Sequence, residues 1–223
     1  MSTADVAILP VTELKARFAW LIESAARAAI GERGGFSMAI PGGSAALTLL
    51  PALVGTAIDW GRVSVFWVDE RMVPPTDPDS NSRVAKEVWL DRLPKAPANV
   101  HRMTGEPEDY AKRLPARLDL ALLGVGPDGH VASLFPGHRL LKTWDRDVAV
   151  LDDAPKPPAR RMTLTLRTIT ATRRIVVFAA GPEKSAAIAD ALKNEDSELP
   201  LALITLGDAP VSFLLDPEAA AGL

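Results

Sequence analysis

Leu120-Ala121-Leu122-Leu123-Gly124-Val125-Gly126-Pro127-Asp128-Gly129-His130 changes character half-way along. Its first half is apolar throughout, the pattern of a strand buried on both faces. Its second half is glycine, proline and two polar side chains, the pattern of a tight turn. The same change recurs along the chain. Residues 36–40 run into Pro41-Gly42-Gly43-Ser44, residues 63–68 into Asp69-Glu70-Arg71, and residues 175–180 into Gly181-Pro182-Glu183-Lys184. Helical periodicity fills the gaps. Leu14, Phe18, Leu21, Ile22 and Ala25 share one face of a helix that Thr12 can cap and Gly34-Gly35 ends. Further helices are expected over 45–53, 81–93, 106–118 (interrupted at Pro115) and 181–192. Residues 162–166 and 201–206 read as strands, the second as the last of the chain. Residues 69–80 form a proline-bearing polar loop, and the proline-rich 152–160 reads as a loop within one domain rather than a linker. Strands alternating with helices predict an α/β fold: a mostly parallel sheet with helices on both faces, one domain over 1–223.

Composition narrows the function. The chain has 223 residues, nearly half of them hydrophobic, enough for a sizeable core. A net charge of −3 argues against a general nucleic-acid binder. With three histidines and no cysteine, disulfides and thiolate zinc sites are excluded. The histidine spacing offers no metal-ligand set, so no metal is expected. No apolar run approaches the roughly 20 residues of a membrane span. The opening Met1-Ser2-Thr3-Ala4-Asp5 lacks the basic-then-apolar order of a signal peptide. The expectation is a soluble, cytoplasmic protein, monomeric or a small homo-oligomer, with no nucleic-acid or membrane partner.

In an open parallel sheet, ligands bind outside the carboxyl ends of the strands. Four polar or glycine-rich segments sit at such ends here, and their coincidence says more than any one of them. The Gly42-Gly43-Ser44 turn opens a helix, whose free N–H groups suit an anion; a plain connector has the same sequence. It lacks the spacing of a nucleotide-binding loop. Asp69, Glu70 and Arg71 are either a solvated charge run or the place where a guanidinium clamps a phosphate. Lys184 in a first helical turn is mildly unfavourable, and an anion removes the penalty. Of Arg160 and Arg161, at least one belongs to the surface. His130 is suited to proton transfer near neutral pH, with Asp128 two residues away to orient it. A structural histidine in a turn is the plainer alternative. Ser133 lacks the G-x-S-x-G context of a nucleophile.

Taken in order, several blocks resemble the 6-phosphogluconolactonase family. They are Pro41-Gly42-Gly43-Ser44, Val68-Asp69-Glu70-Arg71-Met72-Val73-Pro74, Ser80-Asn81, Gly124 through Gly137, Arg161-Met162-Thr163-Leu164-Thr165, and Gly181-Pro182-Glu183-Lys184. The run Asp128-Gly129-His130-Val131-Ala132-Ser133-Leu134-Phe135-Pro136 carries the most weight. The resemblance implies a doubly wound α/β fold shared with glucosamine-6-phosphate deaminase. It also implies hydrolysis of a sugar-phosphate lactone in the pentose phosphate pathway without metal or organic cofactor. By the same resemblance His130 is the catalytic acid/base, with Asp128 and Asp69 lining the site. Arg71, Lys184, Arg161 and the Gly42, Gly43, Ser44 turn hold the phosphate. The family's turn commonly continues Thr-Pro, whereas this chain has Ala45-Ala46, which implies weaker phosphate affinity. A deaminase of the same fold has a carboxylate where Phe135 stands, and tends to have tyrosine in place of Arg71. A non-catalytic sugar-phosphate sensor is the third reading; the chain shows no helix-turn-helix at its start.

Overall fold

The computed structural model describes residues 4–223. Seven strands form the central sheet: β1 (Asp5–Ile8), β2 (Phe36–Ile40), β3 (Val63–Trp67), β5 (Asn99–Val100), β6 (Leu120–Gly124), β9 (Ile175–Ala179) and β10 (Val211–Leu215). Their order is β1-β10-β9-β6-β2-β3-β5. Every neighbouring pair is parallel. Side chains alternate across a strand, so a strand buried at every position is covered on both faces. β9 and β10 are buried throughout. The helices that cover the sheet are α1 (Val11–Arg33), α2 (Gly43–Leu49), α3 (Asn81–Val88), α4 (Pro107–Ala111), α5 (Leu166–Thr170), α6 (Ser185–Lys193) and α7 (Pro200–Thr205). The α/β expectation of a mostly parallel sheet is borne out.

Strand order reverses between β2 and β6: β3 and β5 continue outward from β2, while β9, β10 and β1 continue from β6. A crevice opens at such a switch point. The opposite end of this strand pair is locked by Asp119. Its carboxylate accepts from the Ser37 N–H and hydroxyl at 2.8 Å each, and pairs with Arg33 at 2.9 Å.

A second sheet was not foreseen. β4 (Asp69–Arg71), β8 (Arg161–Leu164) and β7 (Val148–Leu151) form an antiparallel ribbon in the order β4-β8-β7. Asp69 to Arg71 is therefore strand, not the start of a loop. Both carboxylates are buried, with Asp69 6% and Glu70 4% exposed, so this charge run is not solvated. Glu70 explains why burial is tolerated. Its two carboxylate oxygens accept from the N–H groups of Asn81 and Ser82 at 2.7 Å each, and Oε1 also takes the Arg71 N–H at 2.8 Å. A carboxylate on the free amides of a helix start is favoured twice, by hydrogen bonding and by the dipole. Glu70 thus fastens β4 to the start of α3, whose N-cap is Ser80.

Several expected elements need correction. Residues 201–205 are helical, within α7, with Leu206 capping it, and the last strand is β10. A six-residue apolar run fits a buried strand or a buried helix equally, and Pro200 at the first helical position decides for helix. The helix expected over 106–118 is only α4. The helix expected over 45–53 begins at Gly43 and tightens into a 3₁₀ turn at Leu50–Leu53 around Pro51. α3 stops at Val88, followed by a short 3₁₀ turn, and β8 stops at Leu164 because Leu166 already starts α5. α1 starts after Pro10 with no side-chain cap, so Thr12 is not its cap. β1, β5, β7 and β10 escaped notice altogether; β1 and β5 are exposed edges of the large sheet and lack a long apolar run. Residues 152–160 form a loop joining β7 to β8, as expected. No helix among the described residues is long and apolar enough to cross a membrane.

Glu70→Ala should lower the unfolding free energy by roughly 2–4 kcal/mol, because it strands buried amide donors. Urea denaturation measures it. A loss below about 0.5 kcal/mol, the level of an ordinary surface substitution, would show that the β4–α3 junction does not depend on Glu70.

Candidate active site

The carboxyl ends of β2, β3, β6 and β9, with the ribbon, enclose a cavity of about 200 Å³. Its walls include Gly42, Gly43, Ser44, Asp69, Arg71, His130, Arg161 and Lys184. Eight of the nine residues singled out in the sequence therefore meet in one place. The ninth, Asp128, stands behind the imidazole rather than on the wall. Its Oδ1 lies 2.5 Å from His130 Nδ1. With Nδ1 donating that bond, Nε2 keeps its lone pair.

The loop after β6 is shaped to hold this pair. A side chain at Gly126 would run into the His130 imidazole and the Asp128 carboxylate, so glycine leaves the room in which that pair stands. The Gly126 N–H donates to the His130 carbonyl at 2.9 Å, closing the turn. The His130 ring packs on Phe135, centroids 4.7 Å apart. Burial pushes the imidazole below its ordinary pKa, outweighing the bond and charge of Asp128, which pull the other way. Burial pushes Asp128 up, but the hydrogen bond and charge of His130 prevail and hold it below the usual carboxylate range. Ala132, on the cavity wall, takes a left-handed φ of 51°, a strained conformation for a residue with a side chain.

The cations face the same space from other elements. Arg71 on β4 is the direct cross-strand partner of Arg161 on β8. Like charges opposite each other in a ladder repel. Neither guanidinium has a carboxylate within 4.0 Å among the described residues. Arg71 instead donates Nη1 to the Asp79 carbonyl at 2.7 Å. Arg161 donates Nε to Pro158 at 3.0 Å and Nη2 to Lys156 at 2.9 Å, both to carbonyls. It is 4% exposed, and Arg160 beside it is exposed, so one of the two adjacent arginines is surface, as expected. Burial, with Arg71 adding to it against Asp69, lowers the guanidinium's hold on its proton, though it stays charged. Lys184 ends a 3₁₀ turn that Gly181 begins, and its ammonium is 3.5 Å from Glu183. On the opposite wall α2 begins at Gly43, whose φ of 59° suits glycine. Ala45 packs under this turn, 2% exposed, where the resemblance implied a hydroxyl.

The sequence pattern of the glucosamine-6-phosphate isomerases/6-phosphogluconolactonase family matches residues 11–212. The chain belongs to that family. The 6-phosphogluconolactonase of Rattus norvegicus is 36% identical over 230 residues, 93% of this chain and 89% of its own. The chloroplastic 6-phosphogluconolactonase 3 of Arabidopsis thaliana is 35% identical over 83% of this chain, which spans 65% of that protein's length. The crystal structure of a 6-phosphogluconolactonase from Thermotoga maritima superposes with a TM-score of 0.85 at 28% identity, covering 96% of this chain and 100% of that one. The family and enzyme class expected from the motif blocks are borne out.

Two residues that sequence reasoning left without a role also support the site. Asn81, 1% exposed, lines the cavity and donates Nδ2 to the Asp69 carbonyl at 2.9 Å and carboxylate at 3.2 Å. Ser133, fully buried, donates to the other Asp69 oxygen at 2.6 Å. Its hydroxyl is a strut for Asp69. The blocks Ser80-Asn81 and Ser133 were visible in sequence; the contact linking them to Asp69 spans 12 and 64 positions and has no local signal.

Gly126→Ala should leave the fold intact but displace the imidazole. A misplacement of about 1 Å costs on the order of 10²-fold in turnover. Steady-state kinetics beside a denaturation curve separates the two effects. Turnover within a factor of two of wild type would show that the loop adjusts without moving His130.

Proposed function

We propose that this chain hydrolyses 6-phospho-D-glucono-1,5-lactone to 6-phospho-D-gluconate, the lactone step of the oxidative pentose phosphate pathway, in the cytoplasm, with His130 as general acid/base on water. The observation that carries the reading is one cavity joining a histidine–aspartate pair to three cations, two of them without carboxylate partners. Such a cavity suits a small substrate with a phosphate at one end and an electrophilic carbon at the other.

Hydrolysis of a lactone is acyl transfer to water. His130 Nε2 takes a proton from water as the oxygen attacks C1, and Asp128 stabilises the imidazolium that forms. The tetrahedral oxyanion then collapses, the C1–O bond to the ring oxygen breaks, and His130 returns the proton to that oxygen. Asp128 and the Phe135 packing fix the ring throughout. Asp69, held by Ser133 and Asn81, lines the wall as a fixed acceptor for a substrate hydroxyl. Arg71, Arg161, Lys184 and the amides of the Gly42-Gly43-Ser44 turn bind the phosphate, which carries roughly −1.5 to −2 charge near pH 7. Their binding energy holds C1 against the base.

Phe135 bears on the isomerase alternative. Its ring lies against His130 and under the Arg161 guanidinium at 5.6 Å, an apolar contact where the deaminase pattern has a carboxylate. That favours the lactonase branch.

His130→Ala and His130→Asn should each lower turnover by on the order of 10²–10⁴ while 6-phosphogluconate still binds. The sign of the pH dependence follows from burial. The base works only when neutral, so activity falls as pH drops through a pKa shifted below 6.5. A coupled assay on fresh lactone, corrected for spontaneous hydrolysis, should show this acid limb in wild type and lose it in both variants. Retention of most activity by His130→Asn, with the limb unchanged, would remove His130 from the mechanism.

A further inference from the structure

The loop 152–160 connects the anion-facing ladder to the acid–base pair through one residue. The Lys156 carbonyl accepts from Arg161 Nη2 at 2.9 Å, and its ammonium lies 3.7 Å from Asp128 Oδ2. The loop is pinned elsewhere too. Pro158 accepts from Arg161 Nε at 3.0 Å, the Ala154 N–H donates to the Ala159 carbonyl at 3.1 Å, and Asp153 meets His138 Nε2 at 3.1 Å. Asp128 has one oxygen committed to His130, and the other is the one that faces Lys156.

We propose that Lys156 is a positioning residue for the acid–base pair: its ammonium fixes the outer oxygen of Asp128, turning the inner one to His130 Nδ1, and sets a positive charge behind the imidazole. The inference rests on the general-base reading of His130. Three charged side chains bear on that imidazole. Asp128 from its own loop and Asp69 from β4 favour the protonated ring; Lys156 opposes them. Burial disfavours the cation, and the two carboxylates work against burial. Lys156 therefore helps keep His130 neutral, and able to accept a proton, as pH falls. Its side chain is 47% exposed, and so partly exposed an ion pair contributes little to folding stability. Replacing it tests charge and position with the fold intact.

The test is an NMR titration of the histidine rings in wild type, Lys156→Met and Lys156→Arg, with His130 assigned through His130→Gln. In Lys156→Met the His130 pKa should rise by about half a unit, the scale of one partly screened charge. The acid limb of kcat/KM should move the same way, with KM little changed. Lys156→Arg should restore both. His138 reports on the loop itself through Asp153, so its resonances should keep their wild-type positions in all three proteins. An unmoved His130 in Lys156→Met, an equal shift in Lys156→Arg, or a joint displacement of His138 would overturn the proposal. If His130→Gln keeps full turnover and its acid limb, the general-base reading fails instead, and the ring titration still decides what Lys156 does.

Discussion

Two guanidinium groups held opposite each other across one β ladder, with no carboxylate to separate them, are the constraint on which the rest of this molecule turns. Arg71 and Arg161 are fixed by register, not by mutual attraction. An isolated ladder would splay to relieve them. Here it cannot. Glu70 clamps β4 to α3, and backbone carbonyls at 79, 156 and 158 take guanidinium N–H groups without neutralising the charge. The cost is carried by the large parallel core, whose strands are buried on both faces. The return is a cavity with excess positive charge before any ligand arrives.

That charge also shapes the chemistry a few ångströms away. Asp69 lies two residues before Arg71 on β4 and opposite Thr163 in the same ladder, so the ribbon that carries the two arginines also carries an acceptor. Asn81 and Ser133 leave it little freedom to turn. The histidine–aspartate pair is built separately, on the loop after β6, and Gly126 lets that loop close tightly enough to set imidazole against carboxylate. The large sheet carries the histidine–aspartate pair and Lys184, and the small sheet carries the two arginines. They meet at the switch point because β2 and β6 are neighbours there.

The central sheet was legible in sequence at β2, β3, β6 and β9, where an apolar run leads into a polar or glycine-rich turn. Phe36–Ile40 and Ile175–Ala179 are such runs. β10, just as buried, was missed. The run over 201–206 was misread, since burial on all sides hides the period that tells helix from strand. The ribbon was invisible. Asp69 to Arg71 is three charged residues, and only pairing with residues about ninety positions later makes it a strand. The site residues were legible as a set, since they fall at strand ends. The struts were not: Asn81, Ser133 and Lys156 act through contacts that sequence spacing does not encode.

The central claim is that the cavity's cations exist to meet a phosphate. The most direct measurement is the change in melting temperature on adding 6-phosphogluconate or gluconate at equal concentration, in wild type and in a variant carrying Arg71→Ala and Lys184→Ala. A ligand that binds only the folded state raises stability in proportion to RT ln(1 + [L]/Kd), so the shift reads affinity without any need for turnover. The account predicts a clear rise with 6-phosphogluconate in wild type, almost none with gluconate, and loss of the difference in the variant. Equal shifts from both ligands, or a phosphate-dependent shift that survives in the variant, would contradict it.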